Sequence, residues 1–277
     1  MDFSKLSPDR LEVVKKIELY EKEGRFDEDV ENDPPTVPLR PNQVDFLNKK
    51  FTSKIKTKVA NFVGYSFINS LIKKGVLVIE EPQGKENLSL IKERGAILTC
   101  NHFSAFDNFV VLKSIENYLH KKIMYKIIRE GNYTSFKGLY GFLFKNCNTL
   151  PLSNNVEIMK ELLRSVNILL NRGEKILIYP EQAMWWNYRK PRPFKIGAFK
   201  MAFRANVPII PLFITMEDTE VLGPDGCPIQ KHTLHAMPAI YPDKSLSLKD
   251  GAEKMMNQNY EAWVKKYEEV YKSPLAF

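Results

Sequence analysis

Between residues 76 and 214, short apolar segments alternate with longer amphipathic ones. The apolar segments lie at 76–80, 95–100, 123–128, 175–179 and 207–214, and stretches with helical spacing lie at 105–119, 135–146, 154–172 and 195–205. Strands that are apolar throughout are buried on both faces, and their alternation with helices is typical of parallel pairing. The pattern therefore predicts an α/β fold with a mostly parallel central sheet flanked by helices.

The two ends of the chain have a different pattern. Residues 8–23 have a helical rhythm, and residues 24–41, which contain Pro34, Pro35, Pro38 and Pro41, predict an extended strap that packs along the main domain. Residues 43–74 predict a long helix and residues 250–272 a final amphipathic helix. We therefore expect an N-terminal strap and basic amphipathic helical segment at 1–74, which faces a membrane, and an α/β domain at 75–277.

The charge of the chain favours an acidic partner. The net charge is +8, and lysines alternate with aliphatic and aromatic residues throughout 43–74, which is the composition of a helix that lies on an anionic membrane. A helix packed on the core with a solvated lysine face would have the same pattern and remains an alternative. No nucleic-acid-binding module is recognisable, so we expect an anionic membrane surface as partner and no nucleic acid.

The cellular setting follows from two further features. The chain has no run of about 18 apolar residues, so we expect no membrane-spanning helix. The three cysteines, Cys100, Cys147 and Cys227, form no disulfide or metal-binding pattern, which favours a reducing compartment. The expected location is cytoplasmic and peripheral, at the inner face of the cell membrane.

A possible proton-transfer pair follows the second predicted strand. In parallel sheets ligands bind beyond the carboxyl ends of the strands, where His102 lies. On a continuous helix His102 and Asp107 would point roughly 140° apart. They can meet if His102 ends the strand and Asp107 lies in the first turn of the next helix, with Ser104 as the N-cap. Such a histidine can take a proton from an alcohol. The alternative is that Asp107 only caps the helix and His102 is a buried structural histidine.

Four sequence blocks, in order, resemble those of the glycerolipid acyltransferase family, which includes the 1-acyl-glycerol-3-phosphate acyltransferases. The first block, NHFSAFD at 101–107, is similar to the family's N-H-x-S-x-x-D signature. IYPE at 178–181 resembles a strand that ends in Phe-Pro-Glu, KIGAFKMA at 195–202 resembles a K-x-G-x-x-x-x-A helix start, and VPIIPL at 207–212 resembles a V-P-I-x-P strand. A looser match runs from 141 to 152.

This resemblance implies transfer of a fatty acyl group from acyl-CoA or acyl carrier protein to a hydroxyl of a lysophospholipid such as 1-acyl-glycerol-3-phosphate. His102 would be the general base and Asp107 would support it. Asn101, Ser104 and backbone N–H groups would be candidates for stabilising the developing negative charge. The acyl donor aside, the resemblance implies no cofactor, and we expect no metal.

The third block departs from the family pattern. The family usually carries Glu-Gly-Thr-Arg, whereas residues 181–184 are Glu, Gln, Ala and Met, so the arginine that would hold the acceptor's phosphate is missing. Residues 153–155 lack a second expected arginine. We therefore expect Arg189, Arg192 and Lys195, in the following loop, to bind the acceptor's or donor's phosphate, and Glu181 and Gln182 to contact the substrate. A solvated basic loop is the alternative.

Other hypotheses remain open at this point. The altered third block also fits an acceptor without the phosphatidate headgroup, such as a glycolipid or a headgroup-bearing lysolipid, and it fits a catalytically silent lipid-binding protein of the same fold. Cys100 and His102 could form a nucleophilic pair on one strand face. His232 and His235 have the spacing of metal ligands but lack a third ligand.

Overall fold

The computed structural model describes residues 6–92 and 94–277. The helices are α1 (Pro8–Lys22), α2 (Phe51–Lys73), α3 (Lys85–Leu88), α4 (Asp107–Ile115), α5 (Glu130–Thr134), α6 (Gly138–Asn146), α7 (Val156–Asn171), α8 (Gly197–Ala205) and α9 (Leu248–Tyr271). The strands are β1 (Val78–Ile79), β2 (Ala96–Thr99), β3 (Met124–Ile128), β4 (Thr149–Pro151), β5 (Lys175–Ile178), β6 (Ile209–Leu222) and β7 (Pro228–Ala236).

Within the described residues, seven strands form one sheet in the order β1-β7-β6-β2-β5-β3-β4. Every neighbouring pair is parallel except β6 and β7, which form an antiparallel hairpin. All residues of β2 and β5 are buried, as expected for central strands with helices on both faces. The predicted α/β architecture is confirmed.

Two apolar layers cover the sheet. On one face α7, α8 and α9 pack on β2, β3 and β5, and on the other α2 and α4 pack on β2 and β6. The sequence of α7 explains its position, because Ile158, Leu162, Val166 and Leu169 recur on one face and are buried. Asn155 caps this helix, and its side chain accepts the N–H groups of Glu157 and Ile158 in the first turn.

Several predicted boundaries were wrong. The first long helix begins at Phe51 rather than 43, because the Asp45 carboxylate accepts the N–H groups of Lys49 and Lys50 and closes a turn there. The helix predicted at 105–119 is α4, which ends at Ile115 before a short 3₁₀ turn. The stretch 135–146 contains α6 alone, and the preceding short helix α5 was not predicted. Strands β4 and β7 were not delimited from the sequence either.

The strap lies at the carboxyl edge of the sheet. Val30 is fully buried against Trp185 and Ala183 from the loop after β5 and against Val13 and Ile17 of α1. Farther along, the N–H of Leu39 donates to the Glu130 carboxylate at 2.6 Å, close to the end of β3. The strap therefore joins α1 to the loops that follow β3 and β5, which is where ligands bind in sheets of this type. The division at residue 74 remains a prediction.

Candidate active site

The imidazole of His102 and the carboxylate of Asp107 are in direct contact, with His102 Nδ1 2.6 Å from Asp107 Oδ2. The chain bends between them, since Ser104 Oγ accepts the N–H of Phe106 and α4 begins at Asp107. Asp107 is 1% exposed, whereas the His102 side chain is 20% exposed. Because Nδ1 is engaged, Nε2 is the ring nitrogen left to meet a hydroxyl, and Asp107 fixes this tautomer.

The buried Asp107 carboxylate has further donors. Tyr179 donates its O–H to Oδ1 at 2.6 Å, and the N–H groups of Phe103 and Ser104 lie 3.3 and 3.4 Å from Oδ2. Hydrogen bonds of this kind stabilise the charged form of a buried carboxylate. The ring of Tyr179 also stacks on the imidazole of His102, with ring centroids 4.0 Å apart. Sequence reasoning missed Tyr179, although a tyrosine in place of the family's phenylalanine before Pro180 was a usable signal.

A buried ion pair holds the backbone of His102. Glu181 Oε2 accepts the N–H of His102 and the Arg192 guanidinium, both at 3.0 Å, and Glu181 Oε1 accepts the backbone N–H of Arg192 at 2.8 Å. The side chains of Glu181 and Arg192 are 2% and 1% exposed. Burial lowers the pKa of Arg192, and the charge of Glu181 opposes that change. Both were expected to bind substrate, but the structure places them beneath the site, where they support His102.

The strap completes the surroundings of Arg192. Its guanidinium donates to the carbonyls of Phe26 at 2.8 Å and of Ala183 at 2.5 Å. It also lies 4.7 Å from the ring centroid of Trp185, whose indole N–H donates to the carbonyl of Glu28 at 2.9 Å. These partners and its burial leave Arg192 little access to a phosphate, and its predicted binding role stays a prediction.

Three more residues that were expected to bind substrate are Asn101, Ser104 and Gln182, and the structure places each in a different environment. The side-chain amide of Asn101 is buried and bonds both the N–H of Ile214, at 2.8 Å, and its carbonyl, at 3.0 Å. These two bonds fasten the end of β2 to β6 and engage both polar atoms of the Asn101 side chain. Gln182 is exposed in a turn with φ +67°. Ser104 does not cap α4, which has Phe106 at its N-cap position. Its hydroxyl accepts a turn hydrogen bond and can still donate.

The basic side chains at this edge are paired with carboxylates. Arg189 lies 2.5 Å from Asp218 and Lys195 lies 2.6 Å from Asp27 of the strap. Three more ion pairs join this edge to the N-terminal residues: Lys190 with Glu21, and Arg129 with both Asp29 and Asp33. Asp33 shares its arginine with another carboxylate, and its pKa is raised, chiefly by burial. The loop of 189–195 therefore presents neutralised cations rather than free ones.

The remaining hypotheses lose support. Burial, followed by the charge of Asp107, raises the pKa of Cys100 well above its ordinary value, so this thiol is not an activated nucleophile. His232 Nδ1 lies 3.1 Å from the carbonyl of Val78, and His235 Nε2 lies 2.9 Å from the Thr215 hydroxyl. Three residues apart on β7, the two histidines face opposite sides of the sheet. In residues 6–92 and 94–277 no cluster of three or more His, Cys, Asp or Glu side chains could hold a metal ion.

The part of the chain that holds the site is similar in sequence to one protein family. A model of the acyltransferase family matches residues 81–215, a range that includes His102, Asp107 and Glu181. Residues 81–215 of the chain form a domain of the acyltransferase family. This confirms the resemblance indicated by the four sequence blocks.

The fold of this acyltransferase is similar to that of a solved relative, the 1-acyl-sn-glycerophosphate acyltransferase PlsC from Thermotoga maritima. The TM-score is 0.51 at 20% sequence identity, over 84% of this chain and 87% of the other. No curated protein matches the chain in sequence.

Proposed function

We propose that this acyltransferase transfers a fatty acyl group from acyl-CoA or acyl carrier protein to a hydroxyl of a lysophospholipid such as 1-acyl-glycerol-3-phosphate. The observation that carries the proposal is the contact of 2.6 Å between His102 Nδ1 and Asp107 Oδ2, which leaves Nε2 of the partly exposed imidazole for the acceptor. PlsC of Thermotoga maritima, which has a similar fold, acts on the same class of acceptor.

The chemistry is a direct transfer. His102 Nε2 takes the proton of the acceptor hydroxyl, and the oxygen attacks the thioester carbonyl. The tetrahedral intermediate collapses, the carbon–sulfur bond breaks, and the imidazolium returns the proton to the thiolate. Asp107 supports the imidazolium while it carries that proton. A general base of this kind contributes about 10²–10⁴ in rate.

A second acceptor class has support from the ion pairs at the carboxyl edge. Arg129 and Lys195 meet carboxylates of the strap, so a phosphomonoester would have to compete with Asp27, Asp29 and Asp33 for them. An acceptor without a phosphomonoester, such as a glycolipid or a headgroup-bearing lysolipid, would not face this competition. We propose this as the alternative acceptor.

We further propose that α2 holds the enzyme on an anionic membrane surface. Phe51, Ile55, Val59 and Phe62 recur at helical spacing on α2, and all four are exposed. Lys54, Lys56 and Lys58 lie on either side of this stripe, an arrangement typical of helices that lie in the membrane interface. Among the residues that the structure describes, no helix is both long and apolar enough to cross a membrane. A peripheral position at the inner face of the cell membrane follows as part of the proposal.

One assay tests reaction and acceptor together. The protein is incubated with radiolabelled acyl-CoA or acyl carrier protein and a lysolipid panel, and the lipids are extracted and separated. Lysophosphatidic acid should be acylated by the wild type and not by His102→Asn. The matched control, His120→Asn, changes an exposed histidine and should keep full activity.

Three other results would contradict the acceptor, the mechanism or the activity proposed. Acylation of glycolipids or headgroup-bearing lysolipids, with lysophosphatidic acid left unchanged, would support the alternative acceptor. Transfer that survives His102→Asn would refute the mechanism. Vesicle binding without transfer to any acceptor would favour a catalytically silent lipid-binding protein.

A further inference from the structure

We propose that Tyr179 is a positioning residue of the reaction, which holds Asp107 against His102 and sets the pH range in which His102 can accept a proton. The inference rests on the proposed acyl transfer. Tyr179 is a third side chain that contacts both His102 and Asp107.

The sheet brings Tyr179 to this place. β5 pairs with β2 in parallel register, with Ile178 opposite Thr99, so the residues that follow the two strands leave the sheet side by side. From there the phenol of Tyr179 reaches Asp107 Oδ1 at 2.6 Å, and its ring lies on the imidazole of His102 at 4.0 Å with 13° between the planes. A phenylalanine at this position would keep the stacking and lose the hydrogen bond.

The two oxygens of Asp107 have separate partners. Oδ2 meets His102 Nδ1, whereas Oδ1 accepts the phenol of Tyr179. Burial and then the charge of Asp107 raise the pKa of Tyr179 well above its ordinary value, so the phenol stays protonated and remains a donor. This donor stabilises negative charge on Oδ1. Without it, more of that charge is left to stabilise the imidazolium, and His102 holds its proton to higher pH.

The other ionisable groups around the pair form a constant background near neutral pH. Cys100, which follows β2, is close enough to sense the charge of Asp107 and stays a neutral thiol, because burial raises its pKa. His232 of β7, which stacks on Phe103, stays neutral because burial lowers its pKa. Glu181 and Arg192 contact the backbone of His102 as a closed ion pair. A change in the titration of His102 after substitution of Tyr179 therefore reports on Tyr179 itself.

The test is Tyr179→Phe, beside the control Tyr125→Phe, which changes a buried tyrosine of the core on β3. We expect kcat of Tyr179→Phe to fall about tenfold with KM nearly unchanged, since a buried acceptor loses its donor. The acid limb of the pH–rate profile should move to higher pH. Selective incorporation of 3-fluorotyrosine at position 179, a stronger donor of nearly equal size, should move the limb to lower pH. The control should change neither quantity.

A second measurement does not depend on activity. With ¹⁵N-labelled histidine, the pH midpoint of the His102 ring is followed by NMR in wild type and variant, and an upward move in Tyr179→Phe is expected. A lower rate with an unmoved acid limb and an unmoved midpoint would mean that Tyr179 serves packing alone, and would overturn the inference. If the wild type acylates no acceptor, the proposed function fails, and the NMR midpoints still decide the role of Tyr179.

Discussion

The backbone N–H of His102 donates to Glu181 Oε2 at 3.0 Å, so the position of the candidate base depends on a carboxylate 79 residues away in the chain. That carboxylate is held in turn by Arg192, which reaches the strap through the carbonyl of Phe26. The geometry of the site is therefore shared among β2, the loop after β5 and the N-terminal part of the protein.

Removing the charge of Glu181 should affect both stability and activity. Glu181→Gln leaves the guanidinium of Arg192 buried without a counter-ion, which costs about 3–5 kcal/mol. We expect a clear fall in Tm in thermal unfolding, together with reduced acyl transfer, because the one oxygen of glutamine cannot replace the two that accept the N–H groups of His102 and Arg192. Glu217→Gln is the matched control, since Glu217 is mostly exposed and its ion pair with Lys231 is 3.8 Å long. Equal Tm values for the two variants would contradict the supporting role of the buried pair.

Docking of the strap should depend on Val30. This side chain is fully buried against Trp185, so Val30→Asp would place a charge among apolar groups and should release the strap. Limited proteolysis should then cut residues 24–41 at least tenfold faster. A tenfold rise in the fraction of molecules with an undocked strap corresponds to a loss of roughly 1.4 kcal/mol of docking free energy. Val37→Asp, at an exposed position in the same strap, should leave the cleavage rate unchanged. Slow cleavage of both variants would show that Val30 does not anchor the strap.

Acid should destabilise the fold through His235. Burial first, and the charge of Lys266 second, lowers the pKa of His235 from 6.5 to about 4. Between these values the unfolded chain binds a proton that the folded protein excludes, so the contribution of His235 to stability is present above pH 6.5 and is lost as the pH falls to about 4.

The check is Tm measured from neutral pH down to pH 4. The variant His235→Gln can still bond Thr215 and cannot be charged, so its Tm should decline less steeply than that of the wild type. His120→Asn, at an exposed position, should follow the wild-type curve. Parallel curves for His235→Gln and wild type would refute the assignment.

Membrane binding should depend on the apolar stripe of α2. Phe62 is 73% exposed, so on a membrane its ring would enter the lipid. Phe62→Asp removes this apolar contact and adds a negative charge, which anionic lipids repel. We expect co-sedimentation with anionic vesicles to weaken about tenfold or more, by loss of roughly 1.5–3 kcal/mol of apolar transfer energy. The control, Val221→Asp, changes an exposed apolar residue at the far end of β6. Equal losses in both variants would point to net charge rather than to α2.

The parts of the site that lie close in sequence could be predicted. His102 and Asp107 are five residues apart, and the strand-to-helix boundary between them is visible in the apolar pattern, so their contact followed from local geometry. Long helices such as α7 were recognisable because burial of one face imposes a helical period. Strand β4 could not be recognised because it has three residues and ends in Pro151. Strand β7 could not be recognised because its first half is polar.

The parts that depend on distant contacts could not be predicted. Arg192 looks like a phosphate ligand in the sequence, and only the positions of Glu181 and Phe26 show that it is buried. Lys195 likewise meets Asp27, which precedes it by more than half the chain. Charge and residue type are local properties, whereas burial and pairing are set by the tertiary fold.

The hydrogen bond between Arg192 and the carbonyl of Phe26 spans 166 residues and so bears on the order of events during synthesis. A ribosome completes the strap long before it makes β5 or the loop that contains Arg192. Until then, the acidic residues 27–33 and the apolar Val30 have no docking surface on the nascent chain. The strap can dock only after the central strands have been made, so the support beneath His102 is assembled late in biogenesis.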